Sequence, residues 1–276
     1  FKVICVDPTP PITDGDADGA DLRSTAMLQP ARRVLEAAGI WTHLADHAAP
    51  MQIMRIVDAG GADPEPRVTR EFNAAEISDQ PFGWNFPNWL LRRALLERLA
   101  DLPNVDFRPG TGTTSLFTRT AEARVGLSDG SRITTPLVIA ADGRNSPMRE
   151  AAGIDISTSG YGYGQSAVVF AVTHPVPHEN VSTEIHRTGG PFTLVPLPDR
   201  DGMPCSAVVW MDSTAECTRR MALDAKTFSE EATLRSCHLF GPLTLATARN
   251  VWPIITQHAA RLSGERIALI AEAAHV

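Results

Sequence analysis

The sequence predicts a mixed α/β (α+β) fold in two interleaved domains, one built on parallel strands and the other on an antiparallel sheet. Three observations carry this. Strand and helix alternate at both ends of the 276 residues, as in an open parallel sheet. A strand-rich block lies between those ends. Three apolar strands each end at an acid, at Asp7, Asp142 and Glu272, and ligands of such sheets bind at that carboxyl edge. With 43% hydrophobic and 21% charged residues, the chain can bury a sizeable core and is neither disordered nor fibrous. A net charge of −7 argues against a general nucleic-acid binder. No apolar run approaches the roughly 20 residues that span a bilayer. Four cysteines without a C-x-x-C pair point to a reduced, cytoplasmic compartment.

The elements follow in order. Phe1–Pro8 opens as a strand already under way, and the segment from Arg266 ends as a helix begins. Both ends are therefore expected to be cut from a longer chain. Pro30–Ala38 reads as a helix with Pro at its start and Gly39 as its stop. Met51–Val57 alternates like one strand, and Gly60-Gly61 supplies a turn. From Asn88 a helical period places Leu91, Leu95 and Leu99 on the apolar face. Short strands follow near 105–108, 114–119 and 123–127, with a tight turn at Asp129-Gly130. Leu137–Ala141 has the continuous apolar character of a central parallel strand. Strands near 167–172, 181–185, 192–195 and 207–211 form the antiparallel block, and helices near 214–222 and 226–237 precede the last strand.

Several motif matches fail on context. Asp14-x-Asp16-x-Asp18-Gly19 imitates half an EF-hand loop, but Thr25 stands where the twelfth-position Glu belongs. Gly126-Leu-Ser128-Asp-Gly130 runs into another strand rather than a helix, so it reads as a hairpin turn and not a nucleophile elbow. Asn180-Val-Ser182 is a sequon without secretory context. His43 and His47, and His174 and His178, lack a third ligand, so no metal site is expected. Gly160-Tyr-Gly-Tyr-Gly164 neither follows a buried strand nor opens a helix, and reads as a crossing between domains.

Three segments remain. Asp7 ends the opening strand, where the acid of a dinucleotide-binding unit holds ribose hydroxyls; a turn-forming Asp-Pro is the plainer alternative. Ala141-Asp142-Gly143-Arg144-Asn145-Ser146 follows an apolar strand, and a helix starts directly after it. Ala271-Glu272-Ala273-Ala274-His275 repeats the pattern. With these motifs the chain resembles the FAD-dependent aromatic hydroxylases of the para-hydroxybenzoate hydroxylase superfamily, in particular the ubiquinone-biosynthesis (polyprenylphenol hydroxylase) branch. The A-D-G-x-x-S motif is intact at 141–146, with Arg149 beyond it. The late G-D-A-A-H motif stands as Ala-Glu-Ala-Ala-His, and the first glycine fingerprint is absent. Asp21-Leu-Arg23 resembles the family's D-x-R segment, Arg92 its pyrophosphate-facing helix, and Phe192–Pro198 the strand leading to its P-L-P turn.

The resemblance implies a Rossmann-like FAD-binding domain over 1–70, 86–160 and 256–276, interleaved with an antiparallel substrate domain over 71–85 and 161–255. It implies cofactor contacts from Asp7, Arg23, Arg92, Asp142, Gly143 and Glu272, with Arg23, Arg92 and Asp142 in one cleft, and singles out no catalytic acid or base. The implied cofactor is FAD, itself expected to be missing from the structure, since the chain stops at the two places that would cradle its diphosphate. NAD(P)H is the implied co-substrate, and the activity is O2-dependent hydroxylation of a phenol, implied to be polyprenylated. Peripheral contact at the inner face of a membrane, a homo-oligomer or a biosynthetic complex stay open. The alternatives are a halogenase or prenyl reductase of the same fold, and a flavin-poor scaffold, to which the Ala271-Glu272 departure points. The segments near 1–7, 137–142 and 266–270 are expected to be neighbouring parallel strands of one sheet.

Overall fold

The computed structural model describes residues 1–21, 23–61, 63–157 and 164–276. The chain is mixed α/β with several sheets, and contacts divide it into two compact units. One comprises Phe1–Pro11, Leu99–Tyr163 and Ile254–Val276; the other comprises Ile12–Arg98 and Gly164–Pro253. Strand pairing sets these bounds. Ile53–Asp58 runs parallel to Val181–Arg187, and Gly83–Pro87 is flanked by Ser24–Leu28 and Ala49–Met51. Residues 12–98 therefore go with 164–253. Of the glycine-rich crossing read over 160–164, residues 160–163 lie outside the described residues.

In the first unit, Val138–Ala140 pairs in parallel with Ile267–Leu269, Ala140 opposite Leu269. Its core joins Ala140, Ile267 and Leu269 to Val125, Leu127, Met148, Ile154 and Ala274. Val3–Asp7 pairs in parallel with Val105–Pro109 instead. The expectation of one sheet for all three acid-ended strands is thus corrected. Among the described residues no ladder joins the two pairs, and Val3, Ile4 and Ile139 are exposed. The meander Thr113–Thr118, Ala123–Leu127 and Arg132–Thr135 makes a separate antiparallel sheet, with the Asp129-Gly130 turn inside it.

In the second unit the largest sheet has eight strands. Gln165–Thr173, Met203–Ser213, Gly190–Arg200 and Val181–Arg187 lie side by side and antiparallel. Ile53–Asp58 and Val68–Asn73 extend one edge, while Thr244–Leu245 and Asn250–Pro253 both pair with Gln165–Thr173. Alternation decides the faces. Val168, Phe170, Val172, Phe192 and Trp210 pack with Cys217 and Phe228 of the helices Thr214–Met221 and Ala225–Arg235. Ala171, Cys205 and Ala207 pack with Leu197 in a separate apolar cluster.

The run read as one strand over 51–57 is two, Ala49–Met51 and Ile53–Asp58, in different sheets. The helix Asn88–Ala100 buries Leu90 and Ala94, not Leu95, which is exposed. Its leucines surround it, so period alone could not choose a side. The small Ala94 lets Ile40, Leu44 and Phe86 approach.

Gly83 is fixed by a close backbone approach: a Cβ there would lie 2.7 Å from the Met27 carbonyl oxygen. Gly83→Ala should lower stability by about 1–3 kcal/mol, read as a shift in the urea unfolding midpoint. An unchanged midpoint would mean that the three-stranded sheet yields freely at this point.

Candidate functional site

The first cluster lies at the carboxyl ends of the parallel pair. Past Ala140 the chain turns through Asp142 and Gly143, and Ser146 caps the short helix Pro147–Ala151 by accepting the Arg149 N–H at 3.0 Å. Both Asp142 oxygens serve this turn. One accepts the Ser146 hydroxyl at 2.5 Å, the other the Met148 N–H at 3.0 Å. Arg149 is buried and donates to the Ala273 carbonyl (3.0 Å) and the Arg144 carbonyl (2.8 Å). It therefore ties the Asp142 loop to the Glu272 loop. Arg144 Nε reaches Glu272 Oε2 at 3.4 Å, and Gln257 Nε2 donates to the Arg144 carbonyl at 2.8 Å.

Ala271, just beyond Leu269, has φ +51°, a left-handed conformation that costs an alanine about 1–2 kcal/mol. It opens a short 3₁₀ turn, Ala271–Ala273.

The second cluster centres on Asp21. Its carboxylate receives a guanidinium fork from Arg23, Nε at 2.8 Å and NH2 at 2.7 Å. Asn88 Nδ2 donates at 3.2 Å and Arg92 NH2 at 3.1 Å. The fold dictates this convergence. Ser24 pairs with Pro87, so the next residue outward on each side, Arg23 and Asn88, meet through Asn88 N–H donating to the Arg23 carbonyl at 2.8 Å. Arg92 follows Asn88 by four residues and shares its helix face. The Arg23 guanidinium also stacks over Trp252, 4.1 Å from the ring centroid. Burial works to raise the Asp21 pKa, but the hydrogen bonds from Arg23 and Asn88 and the Arg23 charge outweigh it and lower it.

Arg23 and Arg92 thus come together, as do Asp142, Gly143 and Glu272. Asp7 ends its strand and accepts the Thr9 N–H at 2.9 Å, the geometry of an Asp-Pro turn. The sequence reading missed Asp21 as the anchor of the two arginines, although the four-residue spacing of Asn88 and Arg92 hints at it. It also missed Trp252, for which the sequence carries no signal.

Comparison with known proteins adds to this geometry. A family model described as FAD binding domain matches residues 16–276. The chain belongs to that family. Ubiquinone hydroxylase UbiL of Rhodospirillum rubrum is 32% identical over 259 residues, which cover 94% of this chain and 58% of that protein. The 3-demethoxyubiquinol 3-hydroxylase of Escherichia coli is 27% identical over 204 residues, 74% of this chain and 50% of that protein. The chain therefore spans little more than half the length of these relatives. The crystal structure of PqsL from P. aeruginosa, in complex with 2-aminobenzoylacetate, superposes with a TM-score of 0.79 at 19% identity, covering 99% of this chain and 72% of that one.

Each cluster holds groups that suit a diphosphate. Arg144 in the first unit, and Arg23 and Arg92 in the second, are planar cationic donors of the kind that match phosphate oxygens. Gly143 has φ +87°, and a Cβ there would meet nothing within 4 Å. The space beside this backbone is open to a ligand.

Two outcomes follow. Ala271→Gly should stabilise the protein by about 1 kcal/mol; a lower thermal midpoint would refute the strain. Asp21, with its lowered pKa, contributes stability fully above the unfolded carboxylate pKa of about 3.9 and loses it as pH falls through the lower folded value. Urea unfolding near neutrality and in acid should show Asp21→Asn less stable near neutrality and closer to wild type in acid. An equal deficit at both pH values would remove the linkage.

Proposed function

We propose that the chain is the FAD-binding part of an NAD(P)H-using aromatic-ring monooxygenase that hydroxylates a phenolic, polyprenylated substrate in ubiquinone biosynthesis. The observation that carries this reading is the 32% identity to a ubiquinone hydroxylase across 94% of the chain. The unit holding Asp142 is then part of the FAD-binding domain, and the eight-stranded sheet part of the substrate domain. When bound, FAD supplies electron transfer from NAD(P)H and the activation of O2.

The side chains act by holding and orienting. Asp142 and Arg149 stiffen the loops that follow the two parallel strands, and Gly143 leaves room for close approach. Arg23 and Arg92 both reach the carboxylate of Asp21, and their planar guanidinium groups suit the cofactor's phosphates. Asp7 is assigned to the adenosine ribose, and Glu272 to the edge where the diphosphate lies. A polyprenylated phenol would be drawn from a membrane; no helix among the described residues is long and apolar enough to cross one, and peripheral contact would serve.

A flavin-poor scaffold is the second reading, favoured by the strained Ala271 and the negative charge of Glu272. Full-length protein purified without added flavin should show visible flavin absorption. It should also oxidise NAD(P)H when a polyprenylated phenol is supplied, with a product one oxygen atom heavier. Colourless protein that cannot be reconstituted with FAD would support the scaffold. Asp142→Ala should lower flavin retention and NAD(P)H oxidation together, and full activity in that variant would take Asp142 out of the site.

A further inference from the structure

We infer that Arg144 is the side chain at this strand edge that takes the diphosphate of the cofactor, and that Glu272 is the internal anion it leaves to do so. The inference rests on the FAD reading above.

Arg144 and Glu272 leave the carboxyl ends of adjacent parallel strands, whose last paired residues are Ala140 and Leu269, and that edge is where ligands of such sheets bind. Main chain and side chain of Arg144 are held very differently. Its carbonyl accepts two hydrogen bonds at 2.8 Å, from Arg149 and Gln257. Among the described residues its guanidinium is held by one long hydrogen bond, 3.4 Å from Nε to Glu272. The Arg23–Asp21 fork, with two bonds of 2.7 and 2.8 Å, shows what a committed pair looks like in this molecule.

Glu272 is half-exposed, its side chain at 48%, and an ion pair so open to water holds weakly. A diphosphate offers several anionic oxygens in bidentate geometry and outcompetes one carboxylate oxygen. Asp142 cannot be the competing anion, because Ser146 and Met148 occupy both its oxygens. Gly143, directly before Arg144, leaves the adjoining backbone uncovered. Once Arg144 turns to the diphosphate, Glu272 is left as an unpaired negative charge beside a negative ligand. The pair therefore sets cofactor affinity in opposite directions from its two ends.

The test is FAD titration of the flavin-stripped full-length protein, followed by quenching of flavin fluorescence at low and high salt. Glu272→Gln should tighten FAD binding about fivefold. Arg144→Gln should weaken it about tenfold, with Arg144→Lys in between because the charge remains and the planar fork is lost. All three differences should shrink at about 1 M salt, where the screening length is about 3 Å. The thermal midpoints of the stripped variants should stay close to wild type. If Glu272→Gln and Arg144→Gln shift affinity in the same direction, or the differences survive high salt, the pair is structural and the inference falls. If wild-type protein takes up no FAD at all, the functional reading itself falls first.

Discussion

The carboxyl edge of the parallel pair in the first unit depends on one buried cation. Arg149 is 4% exposed and carries a positive charge. Its partners are carbonyls rather than a carboxylate, Ala273 at 3.0 Å and Arg144 at 2.8 Å. Neutral acceptors compensate a buried guanidinium only when they are held close. Each hydrogen bond of this charged kind is worth about 1.5–3 kcal/mol. The loops after Ala140 and Leu269 are consequently fixed to each other through their main chains. Ser146 and Asp142 complete the same turn, and Met148 and Ala274 fill the apolar space beneath it.

This division of labour recurs in the second unit with the charges reversed. There the buried ion is the Asp21 carboxylate, 8% exposed, and the partners that reach it are the more exposed Arg23 and Arg92. In each cluster the buried member is hydrogen-bonded through both terminal atoms of its charged group, while the more exposed members carry the adjustable charge. A ligand can claim an exposed guanidinium without unpacking a core, but it could not claim Arg149. The guanidinium groups that a solute can reach are for that reason the partly exposed ones, Arg144 among them, rather than the most deeply buried.

What the sequence made legible was local. An apolar run ending in Ala-Ala-Asp142-Gly is a strand that stops at a turn, and Ser146-Pro147 is a helix start. Both are written in adjacent residues, and both occur as read. The antiparallel block and its two helices were equally readable, because each strand alternates or is continuously apolar over its own length. Ladder membership was not, since pairing joins residues far apart. Val3–Asp7 could not announce Val105–Pro109 as its partner. The helix Asn88–Ala100 hid its buried face because leucines line every side and the decisive residue is the small Ala94. Trp252 comes under Arg23 from 229 residues away in sequence, which no spacing rule reaches.

Ala271 shows how the edge holds a conformation its own residue resists. A left-handed alanine survives only where its surroundings over-determine the backbone. Before it, Leu269 is paired in the parallel ladder, and the Ile270 N–H donates to the Ala140 carbonyl at 2.9 Å. After it, the Ala271 carbonyl accepts from Ala274 and His275 at 2.9 and 3.0 Å, and the Ala273 carbonyl is held by Arg149. Ala273 and Ala274 are buried. Relaxing the angle at Ala271 would break several of these contacts to recover about 1–2 kcal/mol, so the strain stays. The same over-determination fixes where the Glu272 side chain leaves the backbone, and the weak ion pair it makes with Arg144 is the adjustable part of a rigid edge.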